Sequence, residues 1–493
     1  MLNHYFELEL KIIIKSSIHL IFKSILMNVS IKFLGAVRSV TGSKYLLDEG
    51  EQQILVDCGL FQGQKELRLR NWDKLPIDPA EIDVVVITHA HIDHIGYLPR
   101  LVKDGFSGKI ICTQATEDLM KIMLLDAAKL QEEEALFAFK RGYSKHSKPQ
   151  PLFTTEDAKT VLLLVDSHPL KQEIKLNKRT SIKFYNAGHI LGAAFVEMKV
   201  RGDREEKTIV FSGDLGRYHD PVMFEPEAIS LADVLVVEST YGNKVNPQQD
   251  VEEQLTKIVK ETIDHNGALV IPAFAVGRTQ SLIYYFNKLM QDEKIPTLPI
   301  YIDSPMAINV TDLYERHGVL HKIKVTRQGS QLMSIFDSPN IHFCNTRESS
   351  KALNEIRKPI IIISASGMAT GGRILHHLTH RLPRTTDTVL FAGYQAEGSR
   401  GRDILEGEKF VKIFGEQIPI NCHVREVHGL SAHADQTELL QWLDNFTKAP
   451  KKTFITHGEV ESATAFAKLI EEKKGWKTIV PEYLQKDVLF DGI

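Results

Sequence analysis

The 493-residue sequence predicts an α/β protein in which one strand-rich domain is interrupted by a second domain of alternating strands and helices. Two textures and one arrangement of motifs carry that reading. From 30 to 60, short strands and Gly-rich turns follow one another (SIKFLGAV, TGSKYLLDEG, QQILVDCG), the pattern of an antiparallel meander. After Asp214, fully apolar strands (ADVLVVE, ALVIPAF, LPIYID, PIIIIS, TVLFAG) alternate with helical stretches, the sign of βαβ units and a parallel sheet. Histidine motifs stand before this block and again after it, so the first and last segments belong together and the middle is an insertion.

The first 26 residues are apolar but broken by Lys11, Lys15 and Lys23, so no run of 18 apolar residues exists for a membrane span. An ordered chain is expected from near Met27, with 1–26 a weakly ordered extension or a start-site artefact. Strands are expected at Ser30–Leu34, at Asp83–Thr88 and at 181–186, 194–200 and 207–211, with a helix over 115–140. A helix is expected over 249–264 and another after Arg278. At 43% hydrophobic and 25% charged residues the composition is that of an ordinary globular protein, and its length calls for two large domains at roughly 150 residues per domain. A net charge of -3 excludes coating a nucleic acid by bulk charge; contact with one needs a local basic groove or metal ions. Cys58, Cys112, Cys344 and Cys422 are scattered without a C-x-x-C pair, which fits a reducing, cytoplasmic setting.

The segment THAHIDHIG places His89, His91, Asp93 and His94 on a loop directly after a buried strand. Alternate side chains leaving a strand end face one cavity, so His89 and His91 can share one metal while Asp93 and His94 face a neighbouring one.

This run resembles the signature of the metallo-β-lactamase superfamily, and further motifs match in order. Asp57 in LVDCG matches the first motif, a carboxylate that supports the metal loop from behind; His189 in NAGHILGAA matches the third, and Asp214 in FSGDLG the fourth. Beyond them the chain resembles the β-CASP branch: Glu238 in DVLVVESTYG, His433 in GLSAHAD and His457 in FITHGE match its three acidic and histidine motifs. The resemblance covers about residues 30 to 490 and is nearest to bacterial homologues of the endonuclease subunit of the cleavage and polyadenylation specificity factor. It implies an αββα sandwich with an inserted β-CASP α/β domain, divided as 27–233, 234–426 (the insertion) and 427–493.

The same resemblance implies two zinc ions per chain. His89, His91 and His189 would hold one, Asp93, His94 and His457 the other, and Asp214 would bridge them. The implied activity is a ribonuclease that hydrolyses single-stranded RNA with a hydroxide activated between the metals, leaving 5′-phosphate and 3′-hydroxyl ends. Asp93, Glu238 and His433 would be catalytic, His433 as general acid or as electrostatic partner of the scissile phosphate. Arg278 in PAFAVGRTQ is read either as a solvated helix-start arginine or as a phosphate contact. Ser366, Gly367 and Arg373 of the Gly-rich SASGMATGGR form either a tight turn or a phosphate cradle. The competing readings are a small-molecule metallo-hydrolase, a DNA nuclease of the same superfamily and a non-catalytic RNA-processing scaffold. The first needs no insertion; the second resembles this chain less at His457, where it carries valine; the third has lost ligands that are all present here. No membrane partner is expected, and a homodimer is left open.

Overall fold

The computed structural model describes residues 28–492 apart from 142–146, 247–249, 324–325, 329–330, 394 and 396. The expected extension at 1–26 lies outside the described residues. Among them, two seven-stranded sheets pack face to face. The first runs from Lys486–Phe490 at one edge through Val29–Phe33, Tyr45–Asp48, Gln53–Val56, Val84–Val86 and Lys109–Thr113 to Val165–His168. The second runs from Thr478–Ile479 through Lys452–Thr456, Val234–Glu238, Glu206–Phe211, Ala194–Arg201 and Thr180–Asn186 to Ile174–Lys175.

Side-chain alternation explains why these strands sit between two layers. In Val234–Glu238 every residue is buried. Val234 and Val236 pack between the sheets with Phe33, Val196 and Phe211, whereas Leu235 and Val237 join the core under the outer helices. Ile54 and Val56 divide from Leu55 in the same way, as period-2 side chains must. Each large apolar side chain withdrawn from water contributes about 1.5–3 kcal/mol, so a one-residue slip that exchanged the two faces would sacrifice both cores. The helix Gln114–Arg141 covers the outside with Leu119, Met120, Leu124 and Ala128. Val460–Lys474 does so with Ala463, Phe466 and Ile470. This is the αββα sandwich.

A third sheet is wholly parallel, in the order Ile341–Phe343, Ile300–Ile302, Ile361–Ser364, Leu269–Pro272, Thr388–Phe391, His423–Glu426. It is built from one stretch of chain inserted into the sandwich, flanked by helices such as Val251–Asp264, whose first turn is capped by the Asp250 carboxylate accepting from the Glu252 N–H. The strand Val234–Glu238, which the expected boundary at 234 assigns to the insertion, pairs instead with Glu206–Phe211 and Lys452–Thr456 of the sandwich. The chain leaves the sandwich only after Glu238. The insertion leans back on the sandwich through His317, whose Nε2 is 2.9 Å from Asp118 Oδ2, and through Lys322, paired with Glu225 at 2.9 Å.

Candidate metal centre

Val84–Val86 ends in the interior, and the chain continues extended through His89 and His91 before turning. Residues Ile92–Ile95 form one helical turn, with the His94 N–H donating to His91 O at 2.9 Å, where the sequence reads as a plain loop. The turn is seated on the segment after Gln53–Val56. Cys58 N–H donates to His94 O, Gly59 N–H to Ser43 O and Ser43 N–H to Asp93 O. A Cβ at Gly59 would lie 1.6 Å from Asp93 O, so only glycine lets the two backbones approach.

The extended pair and the helical turn sort the side chains into two groupings around one carboxylate. In the first, His91 Nδ1 stands 3.2 Å from His89 Nε2 and 3.2 Å from His189 Nε2, and Asp214 Oδ2 is 3.4 Å from His89 Nε2 and 3.7 Å from His189 Nε2. In the second, His94 Nε2 and His457 Nε2 are 3.1 Å apart, Asp93 Oδ2 is 3.4 Å from His457 Nε2, and Asp214 Oδ1 is 3.4 Å from His94 Nε2. The ligand atoms of His89, His91, His189 and Asp214 lie within 4.8 Å of one another, as do those of Asp93, His94 and His457. Ring nitrogens crowded at this distance with no intervening acceptor, and a buried Asp214 Oδ1 with no hydrogen-bond partner among the described residues, make a donor set that fits cations.

The remaining ring nitrogens are held from behind. His89 Nδ1 is 3.1 Å from Thr88 Oγ1, and His189 Nδ1 is 3.3 Å from Ala432 O. His94 Nδ1 donates to Asp57 Oδ2 at 2.8 Å, and the same carboxylate accepts from Thr88 N–H and Oγ1–H. Thr240 Oγ1 is 3.1 Å from both His457 Nδ1 and His457 O. Asp57 and His457 both adopt left-handed backbone, φ 57° and 48°, a conformation that non-glycine residues rarely hold.

His433 lies beside the cluster, its Nε2 3.9 Å from Asp214 Oδ2 and its Nδ1 3.3 Å from both Glu238 oxygens. Asp435 fixes its approach by opening the helix Gln436–Leu443: its carboxylate caps Thr437 and Glu438 N–H, and Glu438 answers by accepting from Asp435 N–H. Asp214, Glu238 and His433 also lie close enough to hold a cation. The Glu238 carboxylate, however, is already committed to Leu215 N–H at 2.6 Å, Thr240 N–H at 3.2 Å and His433, which leaves it an orienting acceptor.

Comparison with known proteins matches three family models along the chain. Residues 40–168 match the metallo-β-lactamase superfamily, 279–404 the β-CASP domain, and 417–481 the Zn-dependent metallo-hydrolase RNA specificity domain. A ribonuclease of Thermus thermophilus is 36% identical over 88% of this chain and 94% of its own length. The chain belongs to the β-CASP metallo-β-lactamase ribonuclease family. An RNase J-like protein of Methanocaldococcus jannaschii is 29% identical over 92% of the chain and 98% of its own length. Transcription termination factor FttA of Methanosarcina mazei is 31% identical over 90% and 69%. A crystal structure of a protein of unknown function from Enterococcus faecalis shares the fold, with TM-score 0.53 and 14% identity over 94% of this chain and all of that one.

The electrostatics suit a metal-dependent hydrolase of this β-CASP family. Burial holds the His89 ring down to about 3, the His91 ring down to about 4 and the His189 ring well below its usual range. Burial works against charge on Asp214 too, but the surrounding imidazoles outweigh it and keep the carboxyl well below the ordinary carboxylate range. Burial likewise opposes charge on His94, yet Asp214 and Asp57 together push the ring well above its usual value, the mark of a place that demands a cation. At His433 burial is outweighed by Glu238 and Asp214, which lift the ring to about 9. The neutral His89, His91 and His189 rings beside an ionised Asp214 have the protonation pattern that coordination requires, whereas His94 would give up its proton to a bound cation.

Two expected phosphate contacts are engaged within the chain. Arg373 Nη1 donates to Asp303 Oδ1 and to Cys344 O, both at 2.7 Å, and the Ser366 hydroxyl closes its own turn by accepting from Thr370 N–H at 3.1 Å. Gly367 lies under the Phe274 ring, and its carbonyl accepts from Gln395. Arg278, by contrast, borders a small cavity together with His189 and Ala432. Sequence reasoning passed over Thr88, Thr240 and Lys44. Lys44 is fully buried, with its ammonium bound to Gly59 O and lying 4.5 and 4.8 Å over the Phe61 and Tyr97 rings; burial pushes it down to about 8. Thr88 stands next to His89 and Thr240 two residues after Glu238, and that closeness to motif residues is the only signal they leave in the sequence.

Proposed function

We propose that this protein is a zinc-dependent ribonuclease that hydrolyses phosphodiester bonds of single-stranded RNA and leaves 5′-phosphate and 3′-hydroxyl ends. The observation that carries the reading is Asp214, whose two carboxylate oxygens face two separate histidine groupings, with the His433–Glu238 pair beside them. His89, His91, His189 and Asp214 would hold one zinc ion, and Asp93, His94, His457 and Asp214 a second. Two such ions lower the pKa of water and stabilise the charge that develops on phosphorus during in-line displacement. The chain's own residues then divide the work. Asp57, Thr88, Ala432 and Thr240 orient the ligand rings. Glu238 accepts from His433 Nδ1, which leaves the Nε2 proton directed at the substrate for delivery to the departing 3′ oxygen. The inserted domain, taken to run from Ser239 to Glu426, would narrow the approach so that a single strand enters and a duplex does not. The names of the Thermus and Methanocaldococcus relatives support an RNA substrate. No helix of the described residues is long and apolar enough to cross a membrane, and the four cysteines are free, which supports a cytoplasmic setting.

The test combines metal analysis with internally labelled single-stranded and duplex RNA. Two zinc ions per chain, preference for the single strand and products bearing 5′-phosphate are expected. A 2′,3′-cyclic phosphate product, which arises only when the 2′ hydroxyl attacks, would overturn the mechanism.

A further inference from the structure

The inserted domain presents a cation to the flank of the metal cluster, and among the described residues no carboxylate reaches it at ion-pair distance. Arg278 opens the helix Arg278–Gln291 immediately after Gly277, whose φ is 79° and at which a Cβ would meet Ile190 Cγ2 at 3.2 Å. That turn is therefore pressed onto the loop that carries His189. The cavity beside the guanidinium is lined by His189, Asp220, Ser281, Tyr314 and Ala432, the last adjoining His433. Nε and Nη1 of Arg278 are buried and have no hydrogen-bond partner among the described residues.

The neighbouring groups do not supply the missing acceptor. Asp220 faces the same cavity and its charge favours the guanidinium, but it spends Oδ1 on its own turn, accepting from Val222 and Met223 N–H at 2.7 Å each, and forms no ion pair with Arg278. Arg217, also nearby, is satisfied by Glu438 and Gly429 O. Two other arginines of the same domain reach a carboxylate, the partly exposed Arg373 with Asp303 at 2.7 Å and the buried Arg381 with Asp387 at 3.1 Å. Arg278 is the exception, and burial pushes its guanidinium down only to about 10, so it stays cationic at neutral pH. A desolvated guanidinium with free donors weakens a fold unless an acceptor from outside completes it. Its position also favours a ligand, because it follows the carboxyl end of a central strand of a parallel sheet, where such sheets receive theirs. Gly393, at the end of the adjacent strand, has no side chain to close over Nη2; a Cβ there would lie 3.6 Å away.

We propose that Arg278 anchors a second phosphate of the RNA, one that neighbours the phosphodiester being cleaved. The assignment rests on the ribonuclease reading above. Guanidinium donors match phosphate oxygens in charge and geometry, and an anchor beside the His189 and His433 loops would fix the register of the strand relative to the metals. The phosphate is either an internal diester or a 5′-terminal monophosphate, two sources with the same recognition chemistry.

The test uses the intact, zinc-loaded protein and one single-stranded oligoribonucleotide. It is prepared with a neutral methylphosphonate at each linkage flanking the cleavage site in turn, and with or without a 5′-phosphate. For the wild type, one of these changes is expected to lower kcat/KM by about 10- to 100-fold, the worth of a charge-assisted hydrogen bond, and the position of that change identifies the source. In Arg278→Gln the same change should have no further effect, and Arg278→Lys should regain part of the sensitivity. The slope of log KM against log salt should fall by about 0.7 in Arg278→Gln, one single-strand phosphate contact. Zinc content and melting temperature should not fall, because the variant removes an unpaired charge. If neutralising every flanking phosphate costs wild type and Arg278→Gln the same factor, the anchor is overturned while the ribonuclease reading stands. A wild-type protein that cleaves none of the unmodified RNA overturns the ribonuclease reading and the anchor with it.

Discussion

Replacing Thr240 by valine isolates the positioning of one imidazole from everything else at the centre. Valine has nearly the shape of threonine, so the packing is kept and only the hydroxyl is lost. That hydroxyl accepts from His457 Nδ1 and donates to His457 O, each at 3.1 Å, and the residue it holds has φ 48°. Losing such a hydrogen bond costs about 1 kcal/mol net, and leaving the buried ring donor without this partner adds about 1–3 kcal/mol, while the His457 carbonyl keeps the Ser239 N–H at 3.4 Å. Part of that penalty falls on the position of the ring, where loss of an outer partner typically weakens metal binding by about 10- to 100-fold. Thr240→Val should therefore release one of two zinc ions at a chelator concentration about ten-fold or more below that needed for the wild type, while the other ion stays. Native mass spectrometry during a chelator titration counts the ions directly, and Thr240→Ser should restore the wild-type curve. Two ions lost together at wild-type chelator concentrations in Thr240→Val would refute the assignment of His457 as a ligand steered by Thr240.

The purified protein should carry two zinc ions per chain, and stripping them should lower its melting temperature, since binding to the folded state alone adds to stability; His91→Ala should lose activity and part of the metal, and full turnover in that variant would place the site elsewhere. His433→Ala should retain both ions while turnover falls by roughly 10² to 10⁴, the usual worth of a positioned general acid; loss of zinc in this variant would make His433 a ligand instead. Glu49 supplies a pH test far from the metals. Its Oε2 is buried without a hydrogen-bond partner among the described residues, and burial raises the carboxyl to about 7. A raised folded-state value means the contribution to stability is fully present below the ordinary carboxylate range and is lost as pH rises through about 7. Glu49→Gln should therefore raise the melting temperature at pH 8, by an amount corresponding to roughly 1–3 kcal/mol, and leave it nearly unchanged at pH 4; equal effects at both pH values would show that Glu49 does not titrate there.

What the sequence made legible depended on how local each signal was. The run from His89 to His94 declares itself because four residues of metal-ligating type within six positions rarely arise by chance. His189, Asp214 and His457 stand in loops where single polar residues are common, and only the order of motifs in a family lifts them out. Thr240 and His457 are 217 residues apart, and a hydroxyl behind an imidazole leaves no periodicity to read. The same limit misplaced Val234–Glu238. An apolar run such as Val234–Val237 tells that both faces of its strand are buried but not which sheet it joins, and the answer came from Lys452–Thr456, more than two hundred residues later.

The two arginines of the insertion make the point more sharply, because the sequence offered both as phosphate contacts, Arg278 as a basic residue opening a helix and Arg373 as part of a Gly-rich turn between a strand and a helix. Their fates differ through one distant carboxylate. Asp303 reaches Arg373 at 2.7 Å and removes it from the pool of available cations, whereas no acidic side chain closes on Arg278. Charge patterning along a chain records which cations exist, and packing decides which of them are already neutralised. An arginine becomes a reader of phosphate only when the fold has withheld its internal partner, and that is a property of the cavity between Ala432 and His189 rather than of the segment PAFAVGRTQ.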